Sequence, residues 1–309
     1  MIRKTTKEQL LSILQMMLKL HHTKEMENGK AQRKLLTQCQ ESAITIGTIL
    51  EEKVEEAGKI VPLLEMYCEE VYVLAESAGT GEKIDLEYAD GMLYDVINAI
   101  EELQEVYQIV FMPYKAAMWD ALESIYLAAK DDVGCEALVV PVPYYSFDQK
   151  KKEWIPHYEG GIVPPNIPVT SYQKYNLQEE RPDVIYVHNP YDDSNYVTSV
   201  HPSFYSAELK KYTKKLIYVP YYVTTGEISP EHTILPVYFH MDYAIVQGER
   251  FKRGFKGLPY EDKIIPLGSP KLDRIIRMCK SGEVKMPKEW EKIVKGRRTL
   301  MLNTSISCL

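Results

Sequence analysis

The residues best able to handle protons and phosphate crowd into a few short stretches of this 309-residue chain. His188 and His201 bracket a run that also holds Asn189, Tyr191, Asp192, Asp193 and Tyr196. An imidazole beside a carboxylate is common equipment for taking a proton from a hydroxyl, so His188 or His201 is a candidate base and Asp192 or Asp193 a group to orient it. Lys115, Trp119 and Asp120 form a second cluster, in which the ammonium can meet an anion and the other two can touch a substrate. Tyr222 and Glu227 fall in a third. With Tyr144, Tyr145, Tyr191, Tyr196 and Tyr221, Tyr222 offers amphipathic rings suited to a polyol or phosphate groove. No H-x3-H or H-E-x-x-H spacing occurs, so the histidines do not make a zinc site. Each feature has a plainer structural counterpart: a buried strand-end histidine at 188, a turn at His201-Pro202, a solvated Asx-turn at 192–195, and core packing of Trp119.

These side chains need a frame to bring them together. Beyond residue 106 short apolar runs at 107–112, 137–142, 183–188, 215–219, 243–247, 263–267 and 299–303 read as strands, with helical patterns at 115–131, 203–212, 249–256 and 269–280. Continuous apolar strands alternating with helices predict a parallel sheet covered on both faces, a doubly wound α/β domain. Ligands in such sheets bind beyond the carboxyl ends of the strands, which is where all three clusters fall. Ahead of this domain, apolar residues recur every three or four positions and predict helices near 5–22, 29–57, 60–78 and 85–105, packed as a bundle, as hairpins or against another subunit. Asn28-Gly29, Gly58, Pro62 and Gly79-Thr80-Gly81 separate them.

Composition supports a boundary near residue 106. Residues 1–106 carry 11 Lys+Arg against 20 Asp+Glu, net -9, whereas the remainder is at +2, giving -7 in all. Of 23 tyrosines, four precede Tyr107 and 18 lie from Tyr107 to Tyr243. With 45% hydrophobic residues and no long apolar run, the chain is neither disordered, collagen-like nor membrane-spanning. The start, MIRKTTKEQLLSILQ, has charge where a secretory signal needs an apolar core. Cys39, Cys68, Cys135, Cys279 and Cys308 form no C-x-x-C pair and suit reduced thiols in a cytoplasm. Negative net charge and the absence of a dense basic stripe disfavour nucleic acid. From Gly248 onward Lys+Arg number 15 against 7 Asp+Glu, which fits either a solvated surface or contact with an anionic polymer or membrane face.

FMPYKAAMWDALESIYLAA, VIYVHNPYDDSNYVTSVHPSFYSAELK, KLIYVPYY, LGSPKLDRI and LMLNTSIS, in that order from about 107 to 309, resemble the CDP-glycerol glycerophosphotransferase family of clostridial type, distant relatives of the teichoic acid polymerases. The helical start, with LLTQCQESAITIGTILE and LLEMYCEEVY, is similar to the leader of such members. The resemblance implies a GT-B architecture of two Rossmann-like domains and transfer of glycerol phosphate from CDP-glycerol to an acceptor hydroxyl, with no other cofactor. It also implies peripheral contact with the inner membrane face. By this resemblance residues 1–106 are a helical leader, 107–297 the acceptor-side Rossmann-like domain, and 298–309 the first strand of the donor domain.

Two departures from the family pattern stand out. The W-H-G-T-P motif that carries the family's presumed base aligns with Tyr218-Val219-Pro220-Tyr221-Tyr222-Val223-Thr224-Thr225-Gly226, which lacks histidine. The R-P-H-P motif of the donor domain is absent. The expectation is therefore an acceptor-side half that takes CDP-glycerol only when a donor half is supplied, its acceptor a polyol phosphate or glycan. The other expectation is a non-catalytic scaffold docking, or pairing with a second copy, through its acidic helices.

Overall fold

A computed structural model describes residues 1–27, 29–78, 84–224, 226–282 and 286–300. It opens with a two-residue strand, β1 (Ile2–Arg3), and continues into four helices, α1 (Lys4–His21), α2 (Gly29–Lys53), α3 (Val61–Ser77) and α4 (Glu87–Glu101). Their apolar stripes make one core: Leu10, Leu14 and Met17 of α1, Leu36, Cys39, Ala43, Ile46 and Leu50 of α2, Leu64, Tyr67 and Val71 of α3, and Leu93, Val96 and Ile100 of α4. Pro62 stands in the first turn of α3, where its missing N–H costs nothing. The helix expected to reach residue 57 ends at Lys53. Val54 turns extended, and a short 3-10 turn over Glu55–Lys59 buries Ala57. The breaker expected at Gly79-Thr80-Gly81 lies outside the described residues.

The remaining strands are β2 (Glu105–Met112), β3 (Cys135–Val139), β4 (Tyr144–Asp148), β5 (Glu153–His157), β6 (Val184–Val187), β7 (Thr198–Val200), β8 (Lys215–Tyr218), β9 (Tyr243–Ile245) and β10 (Ile264–Ile265). The remaining helices are α5 (Glu123–Asp131), α6 (Leu177–Glu180), α7 (Ser206–Lys210), α8 (Pro230–Thr233), α9 (Val237–His240), α10 (Glu249–Lys252), α11 (Pro270–Ser281) and α12 (Lys288–Val294). The fold is α/β. The main sheet runs β3-β2-β6-β8-β9-β10, with β1 also paired to β2, and every pairing in it is parallel. Alternation along β2 separates the two faces. Val110 and Met112 pack with Leu209, Val237, Tyr238 and Phe251, while Phe111 packs with Trp119, Leu122 and Tyr126 on the opposite side.

Four features depart from expectation. The segment before the sheet is not wholly helical: Ile2 and Arg3 pair with Glu105 and Val106, so the chain's first residues join the sheet and the proposed division at 106 falls inside β2. Two residues carry no periodic signal, which is why β1 is invisible in sequence. A second, antiparallel sheet, β5-β4-β7, sits beside the parallel one. The stretch expected to be helical from 115 begins as a 3-10 turn over Ala116–Ala121 before α5. Of the strand expected at 299–303, Thr299 and Leu300 are outside any strand and the rest lies outside the described residues. Among the described residues no helix is long and apolar enough to cross a membrane.

Candidate functional site

Strand order fixes where a site can form. β2 pairs with its sequence successor β3 on one edge and with β6 on the other, so chain direction across the sheet reverses at β2 and β6. Their carboxyl ends lead into the loops that start at Pro113 and His188, the place where ligands collect in open parallel sheets; the crevice there, lined by Met112, Tyr114, Val187 and Asn189, is narrow, about 10 Å³. His188 braces this crevice. Its Nε2 accepts the Tyr114 backbone N–H at 3.1 Å, and its Nδ1 lies 3.2 Å from the Met118 carbonyl. A nitrogen that accepts an N–H carries no proton, so the proton sits on Nδ1 and is donated to Met118. The ring is 0% exposed. Burial first, and the Lys271 charge second, lower its pKa to about 3, so it is neutral. With both nitrogens engaged, His188 has no free edge for a substrate proton, and it ties the β2 loop to the end of β6.

The loop so fixed carries Lys115 over an aromatic bed. Its Nζ lies 5.6 Å from the Tyr114 ring centre and 5.2 Å from that of Tyr144. No carboxylate among the described residues lies within ion-pairing distance of it. Glu159, the nearest candidate by position, is occupied: Oε2 accepts the Ala116 N–H at 2.7 Å and Oε1 accepts the Tyr144 hydroxyl at 2.5 Å. Burial, with the Glu159 bond adding to it, raises the Tyr144 phenol, and burial pushes Tyr114 up to about 12. Both rings therefore stay neutral at physiological pH, and the Lys115 charge is left to an outside anion.

β4 and β5 extend the bed. Tyr144 pairs across the ladder with His157, and the rings stack at 5.0 Å between centres. His157 Nε2 lies 2.7 Å from the Ser146 hydroxyl, two residues along β4 and therefore on the same face. The Tyr145 ring stacks on His201 at 6.1 Å. Glu159, His157 and Ser146 escaped the sequence reading because only the β4–β5 pairing brings them to Lys115. The available signal was the alternation in YYSFD and EWIPH around the charged turn between them.

The other expected residues divide. Asp192 is buried and its carboxylate takes both the Ser206 N–H, at 3.0 Å, and the Ser206 hydroxyl, at 2.6 Å, so it anchors the start of α7 rather than an imidazole. Burial raises its pKa, partly offset by those bonds. His201 Nδ1 accepts the Ser203 N–H at 3.3 Å, which leaves the proton on Nε2 and makes that edge a donor. Asn189 closes a turn by accepting the Tyr191 N–H at 3.1 Å. Tyr191 reaches Tyr221, hydroxyl to hydroxyl, at 3.4 Å. Asp193 and Tyr196 point outward, Tyr196 being 87% exposed. Trp119 is core, packed edge-on to Tyr126. Asp120 pairs with Lys271 at 3.1 Å, and Glu227 lies 4.0 Å from Arg253. Tyr222 is half-buried, its phenol pushed up to about 12 by burial. Lys115 thus lies over Tyr114 and Tyr144 and Tyr191 meets Tyr221, whereas Trp119, Asp120 and Asp192 are held by the scaffold.

The larger grooves lie elsewhere. One of about 720 Å³ sits at the amino ends of the strands, around Arg3, Gln108, Cys135, Lys174 and Tyr175. Another of about 500 Å³ lies between α3 and α4, with Leu63, Met66, Tyr88 and Met92 inside and Asp85, Glu87 and Asp95 around it. In the amino-end groove Arg3, Gln108, Glu136, Tyr175 and Glu180 already bond one another. Among the described residues no group of three or more His, Cys, Asp or Glu side chains is placed to hold a metal ion. No protein-family model matches the chain, and no curated protein matches it.

Proposed function

We propose that the chain is the acceptor side of a CDP-glycerol glycerophosphotransferase-like enzyme of GT-B type, its parallel sheet a Rossmann-like domain. The acceptor oxygen attacks the phosphorus that bears glycerol. The bond from that phosphorus to the cytidine monophosphate oxygen breaks, CMP leaves with the electron pair, and the acceptor gains glycerol phosphate. The observation that carries this reading is Lys115, an ammonium without a carboxylate partner among the described residues, set over Tyr114 and Tyr144 in the loop after β2. A cation on an aromatic bed at that place suits the phosphate of a polyol-phosphate acceptor, with tyrosine hydroxyls for its polyol. The motifs quoted above support the transferred group, and the cell-wall or surface-glycopolymer role follows from them, as does work in the cytoplasm at the inner membrane face.

The test is to incubate the whole chain with CDP-glycerol and a poly(glycerol phosphate) primer, following primer binding and CMP release. CMP release, or saturable primer binding that CDP-glycerol does not compete away, is the expected result. A chain that binds neither compound is not a member of this enzyme class. A second reading, a docking module, is favoured by one observation: Met66, Tyr72, Val73, Tyr88 and Tyr94 on α3 and α4 are each at least half exposed. Sedimentation of the chain with its cellular partners absent distinguishes pairing of copies through this face from a monomer.

A further inference from the structure

We propose that His157 takes the proton of the acceptor hydroxyl, its ring held by the Nε2–Ser146 hydrogen bond; this rests on the transferase reading and names the base that the reading lacks. The segment aligned with the missing W-H-G-T-P histidine contributes Tyr221 and Tyr222, and burial raises both phenols away from neutrality, so neither accepts a proton there. His188 follows β6, His157 ends β5 and His201 follows β7. His188 has both nitrogens engaged inside the protein. His201, accepting a backbone N–H at Nδ1, offers only an N–H at Nε2. His157 differs from both. Its Nε2 meets the Ser146 hydroxyl, and its Nδ1 has no partner among the described residues. With Nε2–H donated to the Ser146 oxygen, the Nδ1 lone pair is free to accept a proton.

Position supports the same assignment. His157 and Lys115 both contact the Tyr144 ring, the first by stacking and the second by its ammonium. Tyr144 is in turn held by Glu159, which also caps the turn that follows Lys115. The phosphate-binding charge and the proton acceptor therefore both border one ring, that of Tyr144. His232 also meets a serine, Ser229 at 2.6 Å, but three residues apart at the start of α8, a local bond with no contact to the Lys115 bed. In the reaction the acceptor O–H bond breaks as the new P–O bond forms, and the proton moves to His157 Nδ1 while CMP departs with the old bond's electrons.

The experiment supplies the whole chain, or its His157→Gln variant, with CDP-glycerol, primer and a donor-half protein of the same enzyme class; the Gln amide nitrogen keeps the bond to Ser146 while the Nδ1 position is lost. Unchanged thermal midpoint and primer affinity within threefold of wild type are expected, with CMP release slowed roughly 100-fold or more. Ser146→Ala is expected to alter the ratio of His157 tautomers read from imidazole nitrogen shifts, which a merely structural serine would leave alone. Independently of turnover, sn-glycerol 3-phosphate is expected to move the His157 ring resonances in wild type and not in Lys115→Ala. CMP release by His157→Gln within threefold of wild type overturns the inference and leaves the transferase reading standing. Resonances of His157 that ignore sn-glycerol 3-phosphate also overturn it. Ring resonances that respond while wild type releases no CMP remove the transferase reading and keep His157 as a ligand contact.

Discussion

The two ends of the parallel sheet treat their polar groups in opposite ways. At the amino end Arg3 spans from Glu180, at 2.5 Å, to Gln108, at 2.6 Å. Gln108 then bonds Glu136 and Tyr175, and its backbone N–H bonds Asp183. Thr5 of α1 and Lys214 reach the same Asp183. This mesh stitches the helical segment onto the sheet. At the carboxyl end Lys115 lies over two aromatic rings, and neither it nor His157 Nδ1 has a charged or hydrogen-bonding partner among the described residues. Buried or half-buried polar groups are costly unless paired. The amino-end mesh serves stability, although Arg3 Nε itself lacks a hydrogen-bond partner among the described residues, and a charge and a lone pair left open are free to serve a ligand.

That contrast can be broken by experiment, beginning with the largest effect. His188 belongs to the closed category although it sits at the open end. Its folded-state pKa of about 3 lies below the ordinary 6.5, so between these values the unfolded chain binds a proton that the folded chain refuses. Its contribution is therefore fully present above pH 6.5 and is lost as pH falls toward 3, on the order of 3 to 5 kcal/mol in all and about 2 kcal/mol by pH 5. Urea unfolding at pH 7, 6 and 5 should show this slope in wild type and a flatter one in His188→Asn. Equal slopes would return His188 to the open category.

Next in size, Arg3→Ala should remove about 2 kcal/mol of stability, because Glu180 and Gln108 lose a charge-assisted partner, without changing phosphate binding. Chemical unfolding paired with primer titration checks both halves. Lys115→Ala should do the reverse, leaving stability within about 0.5 kcal/mol while weakening binding of poly(glycerol phosphate) roughly tenfold. Tyr196→Ala, at a ring 87% exposed, should change neither stability nor binding, and a clear loss of binding would extend the site past the Lys115 bed.

How far the sequence revealed this follows from what each signal depends on. β2, β6 and β8 were readable because a strand buried on both faces is one apolar run, as in VIYV. The helices were readable because stripes such as Leu36, Cys39, Ala43, Ile46 and Leu50 repeat over many turns. β4 and β5 were not, since they mix rings with Ser, Asp and Pro and are largely half-exposed, and β7 was not, since three residues, Thr-Ser-Val, carry no alternation to read. Their neighbours are set by pairing between residues as distant as Tyr144 and Val200. The site divided along the same line. Lys115 and the tyrosines announced themselves by type at strand ends. His188 and Asp192 also did so, yet their roles depend on partners at Tyr114, Met118 and Ser206 that only the folded chain brings near. His157 and Glu159 carry no motif, and only the hairpin places them.

The most direct measurement of the central claim is calorimetric titration of the whole chain with poly(glycerol phosphate), run on wild type, Lys115→Ala and Arg3→Ala under one buffer and salt. The expected result is saturable binding that Lys115→Ala weakens roughly tenfold and Arg3→Ala leaves unchanged. Binding that survives in Lys115→Ala and falls in Arg3→Ala would place the ligand at the amino end and contradict the account.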